Sequence, residues 1–131
     1  MRLIHMGLAA ALTAISCDSL SSTAVGISVL LEANPRVAQA GDTVTFIVNV
    51  SANNVSGVVI DYGDSSGDQY SAGGVSTVQA IFRHAYPDVG SYMARATVSD
   101  EAVGNRVVTQ LIVVNPRSDS TQIGHRQRTT R

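Results

Sequence analysis

The chain has 131 residues, 44% of them hydrophobic and 15% charged, with a formal net charge of −1. That length sets one domain as the expectation, and the low charge content sits well below the usual quarter. A basic nucleic-acid reader is excluded, because there is no Lys, no basic face and no run of aromatics interleaved with bases.

The charge is unevenly spread. From Cys17 to Pro116 there are four Arg against nine acids, and from Arg117 to Arg131 four Arg against one Asp. Cys17 is the single cysteine, so neither an internal disulfide nor a zinc site built from cysteine pairs can be made. No cofactor is implied.

Met1 to Ser16, MRLIHMGLAAALTAIS, has a basic start, an apolar run and small residues leading to Cys17. This pattern predicts a secretory signal peptide, too short to span a bilayer as a mature helix. Ala14-Ile15-Ser16-Cys17 is similar to a bacterial lipobox, although that pattern prefers Leu at the position of Ala14. Cys17 is therefore expected to be the lipidated first residue of the mature chain. An ordinary cleaved signal and an uncleaved anchor are the alternatives. Residues 17–26 then form a polar tether.

From here the pattern is strand after strand. Ile27 to Ala33 reads as a strand ended by Asn34-Pro35, and Arg36 to Ala40 as an edge segment. Asp42 to Ser51 alternates, with Val44, Phe46, Val48 and Val50 on one face, which is the period-2 signature of a half-buried antiparallel strand. Asn53-Asn54 reads as a turn. Val58 to Tyr62 is a buried strand running into the turn formers Gly63 to Gly67. Asp68 to Gly74 reads as loop or a poor short strand. Ser76 to Ala85 and Ser91 to Ser99 are strands, joined by a corner at Tyr86 to Gly90. Asp100 to Asn105 reads as a hairpin turn. Arg106 to Val114 is the last strand, and its unbroken run Leu111 to Val114 suggests cover on both sides. Arg117 to Arg131 has no periodicity and is expected to be a disordered polar tail. Seven strands without a helix pattern predict an all-β, two-sheet sandwich over residues 27–116.

Two stretches carry a resemblance. Ile60-Asp61-Tyr62-Gly63-Asp64-Ser65 is similar to the Trp-Asp-Phe-Gly-Asp-Gly signature of the PKD domain family, an immunoglobulin-like β-sandwich module of cell surfaces. His84-Ala85-Tyr86, then Gly90-Ser91-Tyr92, then Val98 and Asp100 resemble its second signature. Ile60 and Ser65 depart from the usual Trp and Gly; the first shrinks a core anchor, and the second loosens the turn or shifts its φ. The resemblance implies structural roles for Asp61, Tyr62, Gly63, Asp64, His84, Tyr86, Gly90 and Tyr92.

Four of these residues, with Asp68 and Tyr70, also have a chemical reading. Asp61, Asp64 and Asp68 could cluster as calcium ligands, but their spacing misses the EF-hand pattern and suits turn chemistry better. His84 lacks the nucleophile and orienting acid that a catalytic base needs, and is expected to hydrogen-bond a loop carbonyl near Asp61. Tyr92 is expected to fill the core as a tyrosine corner, its hydroxyl reaching back to the backbone. Tyr70 offers an exposed ring for a sugar or peptide.

The expectation is a non-catalytic, lipid-anchored envelope protein, exported and binding an envelope protein or polysaccharide. A periplasmic or secreted form is the alternative location. The alternative role is an assembly subunit pairing through an edge strand.

Overall fold

The computed structural model describes residues 26–118. The signal peptide, Cys17, the tether up to residue 25 and the tail from residue 119 lie outside the described residues. Six strands follow one another: β1 (Ser28–Asn34), β2 (Val37–Gln39), β3 (Thr43–Asp61), β4 (Gly67–Ala85), β5 (Gly90–Asp100) and β6 (Gly104–Asn115).

Two of these strands serve both layers of an immunoglobulin-like sandwich. Residues 43–51 of β3 lie between β1 and residues 77–85 of β4. Residues 55–61 of β3 lie between residues 67–75 of β4 and the strand β5. The second layer continues through β6 to β2, which pairs parallel with β6. The seven expected strands are thus six, because Asp42–Ser51 runs on into Val58–Tyr62, and Asp68–Gly74 runs on into Ser76–Ala85.

The change of layer is made by two opposed bulges. Between the pairs Ser51↔Thr77 and Val55↔Val75, β3 carries the extra residues; between Val55↔Val75 and Gly57↔Ser71, β4 does. Bulges bend a strand and sharpen its twist. Gly73 and Gly74 supply the bend with φ of 70° and 83°, which only glycine adopts freely. Asn53-Asn54, expected to be a turn, is instead held inside β3 at this crossover.

Alternation then sets the core. Val44, Phe46, Val48 and Val50 face Val58, Ile60, Ala94, Ala96, Val98, Ile112 and Val114, all of them buried. Fully burying a side chain of this kind contributes about 1.5–3 kcal/mol. The last strand is covered on one face only: Ile112 and Val114 are buried, whereas Leu111 is 47% exposed.

The long β3–β4 hairpin is therefore folded back on itself, and its tip returns to its own base. β1 begins at the crossover end, with Ser28 opposite Ser51. β6 finishes at the tip end, where the Asn115 carbonyl accepts from the Ala40 N–H and the Gly41 N–H donates to Tyr86.

Candidate functional site

The hairpin tip is ordered by its own short side chains. The Tyr62 N–H donates to the Ser66 carbonyl at 3.0 Å. Asp61 accepts the Gly63 N–H at 2.8 Å, and Asp64 accepts both the N–H and the hydroxyl of Ser66, at 3.1 and 2.5 Å. These are the turn contacts that Asp makes with backbone two residues on. Gly63 has φ 83° and its Cα faces Met93 of β5; a Cβ there would come within 2.8 Å of the Met93 carbonyl oxygen. Ser65 keeps φ at 71°, so the turn has the left-handed residue that a Gly would give it, at some cost in strain, rather than a shifted φ.

The base of the hairpin meets this tip through rings. His84 Nε2 lies 2.6 Å from Asp64 Oδ2. The imidazole stacks on Tyr62, with centroids 4.0 Å apart and planes 3° from parallel, and meets Tyr86 edge-on at 4.7 Å. Phe46 packs on Tyr62 from below at 5.4 Å, and Tyr92 stacks on Tyr86 at 4.4 Å. Three hydroxyls close the network: Tyr86 donates to the Tyr62 carbonyl at 2.9 Å, Tyr62 to Asp68 at 2.6 Å and Tyr92 to the Asp88 carbonyl at 2.9 Å.

Two expectations change here. The partner of His84 is a carboxylate and not a loop carbonyl. The ring sealed in the core is Tyr86, fully buried, while Tyr92 is half-buried over it at the start of β5. Burial pushes the Tyr62 phenol well above its ordinary pKa, with Asp68 adding to the rise; burial does the same to Tyr86, with Asp64 adding. Burial also raises the Asp64 carboxyl, but hydrogen bonds from Ser66 and His84 outweigh it and hold the group below its ordinary value.

Chemically, the corner is occupied with itself. The Ser66 hydroxyl and His84 both address Asp64, so the serine and the imidazole share an acceptor instead of forming a nucleophile–base pair. Asp61, Asp64 and Asp68 each serve a different donor. Among the described residues no three His, Cys, Asp or Glu side chains converge to hold a metal ion.

Asp100 has a larger part than its place in the second signature suggests. It is buried, and its carboxylate accepts four backbone N–H groups: Asn53 at 3.0 Å and Asn54 at 2.6 Å from β3, and Ala102 at 2.8 Å and Val103 at 3.0 Å from the β5–β6 turn. One side chain thus pins the layer change to the opposite hairpin. Burial raises its carboxyl, and these donors overcome that and hold it below its ordinary value. An Asp two residues past the last apolar position of a strand, followed by turn residues, is the one sequence signal that marks it.

Two surfaces are open. Beside the tip is a shallow groove of about 540 Å³ lined by residues including Val59, Asp61, Ser65, Gly67, Asp68 and Gln69. The outer face of the larger layer carries the exposed apolar side chains Val59, Met93, Val107 and Leu111, with Val37 at its edge. Met93 and Leu111 are cross-strand partners there. Tyr70 stands on β4 beyond the groove, 45% exposed.

No curated protein matches the chain. Solved structures share its fold. The PKD domain of an M14-like peptidase from a Thermoplasmatales archaeon has a TM-score of 0.56 at 20% identity, covering 70% of this chain and 93% of that one. The PKD domain of the human VPS10 domain-containing receptor SorCS2 has a TM-score of 0.51 at 15% identity, covering 91% and 99%. A structure of carbohydrate-binding modules from the β-sandwich superfamily has a TM-score of 0.51 at 18% identity, covering 71% of this chain and 36% of that one. The PKD domain family itself matches residues 28–113, a span that takes in the tip, its base and the Asp100 clamp. With the first signature at the hairpin tip bonded to His84 and Tyr86 of the second, the chain belongs to the PKD domain family.

Proposed function

We propose that this protein is an exported, non-catalytic binding module that holds a protein or polysaccharide of the cell envelope. The observation that carries the reading is the division of labour in the domain. Most polar and aromatic side chains of the signatures bond or stack with one another, whereas the outer face of the larger layer leaves Val59, Met93, Val107 and Leu111 uncovered. Grouped apolar residues on an exposed sheet are a mark of interaction surfaces. PKD domains and carbohydrate-binding modules with the same fold are consistent with such work.

In this reading Cys17 carries lipid after removal of residues 1–16, and the tether holds the domain near a membrane. Intact mass of membrane-extracted protein tests the anchor: the expected species starts at Cys17 and carries acyl mass, and a soluble form with a free Cys17 thiol would contradict it. Binding is tested by crosslinking to envelope fractions and by binding to purified envelope polysaccharide. Met93→Glu with Leu111→Glu should abolish capture while leaving the melting temperature near that of the native chain. Capture unchanged by both substitutions would overturn the choice of face.

A second reading rests on β4, which pairs with β3 along one side and, among the described residues, is open along the other. An open edge can accept a strand from another chain. In that case oligomeric size would rise with concentration, and a Pro placed at Tyr70 would suppress it.

A further inference from the structure

We propose that the groove beside the hairpin tip is a docking site for an arginine-bearing peptide, and that its occupant in the resting protein is this chain's own tail, residues 119–131. The groove adjoins the outer face used above and shares Val59 with it, but the proposal rests on Asp61 and Asp68, which that reading does not use.

The groove has an unbalanced charge. Asp61 and Asp68 both line it. Asp61 receives the Gly63 N–H and Asp68 the Tyr62 hydroxyl, both neutral donors. Among the described residues the ion pairs are His84–Asp64 and Arg117–Asp42, so neither groove carboxylate has a cationic partner. Arg95 is the cross-strand neighbour of Asp61 on β5, but it makes no ion pair with it. Ser65, Ser66 and Gln69 add hydrogen-bonding groups to the same lining, and Val59 adds an apolar wall against which the methylene stem of an arginine can lie. A planar guanidinium suits such a carboxylate-lined groove better than any other side chain.

The tail carries the complement and starts from the right place. It holds Arg126, Arg128 and Arg131 against Asp119. The base just before it is already docked: Arg117 pairs with Asp42 at 2.9 Å and its Nε–H donates to the Ala40 carbonyl at 3.3 Å. That contact lies at the tip end, since Gly41, between these two partners, bonds Tyr86, and Tyr86 bonds Tyr62 at the start of the tip. A tail of this length spans up to about 40 Å when extended. Tethering makes the encounter intramolecular, at an effective concentration in the millimolar range. A free ligand for the groove would therefore have to displace the tail.

The test uses the full chain with Cys17→Ser and a nitroxide attached at Thr130→Cys. The amide signals of Gly67, Asp68 and Gln69 should lose roughly half or more of their intensity at low salt. They should recover in about 0.5 M salt, where the Debye length falls to a few ångström. Recovery is also expected in the labelled chain bearing Arg126→Ser, Arg128→Ser and Arg131→Ser, which leaves the folded part untouched, and with Asp61→Asn, which keeps an acceptor for Gly63. Broadening that is absent from the tip, that persists in high salt or that survives the arginine replacements would overturn the proposal. So would broadening that arises between isotopically distinct chains in a mixture, which would make the occupant a second copy, or that develops solely with anionic vesicles, which would make the tail a membrane contact.

Discussion

Asp64 and His84 lie twenty residues apart in sequence and 2.6 Å apart in space, and their contact joins the tip of the β3–β4 hairpin to its own base. The side chains are 17% and 18% exposed, so the bond is largely shielded from solvent. Hydrogen bonds to a charged group contribute roughly 1.5–3 kcal/mol. A double-mutant cycle with Asp64→Ala and His84→Ala should return a coupling energy of about that size in urea melts, because the cycle cancels the lost stacking on Tyr62. A coupling near zero would mean that ring stacking alone closes the hairpin.

Acid should loosen the domain. The Asp64 and Asp100 carboxyls are both lower in the folded protein than in the unfolded chain. The unfolded state therefore takes up protons first as pH falls. Their stabilisation is complete above the ordinary Asp range, near pH 4, and is lost as pH drops through the folded values. Denaturation midpoints between pH 7 and pH 2 should stay level at first and then fall. Asp100→Asn should lower the midpoint at pH 7, since the amide turns donors toward backbone N–H groups, and should flatten the acid limb. An acid limb as steep as that of the native chain would remove Asp100 from this account.

The tyrosines should separate by burial. Tyr86→Ala empties a fully buried site and should cost about 3–5 kcal/mol. Tyr86→Phe leaves the Tyr62 carbonyl without that donor in the core, for about 1–2 kcal/mol. Tyr92→Ala should be milder than Tyr86→Ala, and Tyr70→Ala should stay within about 0.5 kcal/mol. Equal losses at Tyr86 and Tyr92 would contradict the unequal burial of the two rings.

Ser65→Gly should stabilise. Ser65 holds φ at 71°, a region that costs an L-residue roughly 1–2 kcal/mol. Glycine removes that strain but loses more chain entropy on folding, leaving a gain of about 0.5–1 kcal/mol and a rise of a few degrees in Tm. No rise, or a fall, would show that the Ser65 side chain has a compensating role.

What could be read in advance was local. The alternation Val44, Phe46, Val48, Val50 and the two signatures are visible in short windows, because each depends on residues a few positions apart. Asn53-Asn54 could not be placed: two consecutive Asn look like a turn until Asp100, more than forty residues away, captures both N–H groups. Asp68 to Gly74 could be read as loop or as a short strand, since nothing local shows that Gly73-Gly74 bend a strand instead of ending it. Tyr86 and Tyr92 look alike in sequence, and which ring is sealed depends on which hydroxyl reaches the Tyr62 carbonyl. The partner of His84 was hidden for the same reason, because it is fixed only when the hairpin folds back.

The two ends of the domain also give it a direction. β1 starts at the crossover and β6 stops beside the tip, so the chain enters at one pole and leaves at the other. The nine residues from Thr43 to Ser51 span that axis over about 30 Å. A chain held by its amino-terminal side would thus carry the groove and the Tyr86 corner at the far pole, facing outward. Anything that follows Asn115 would stand a full domain length from the start of β1.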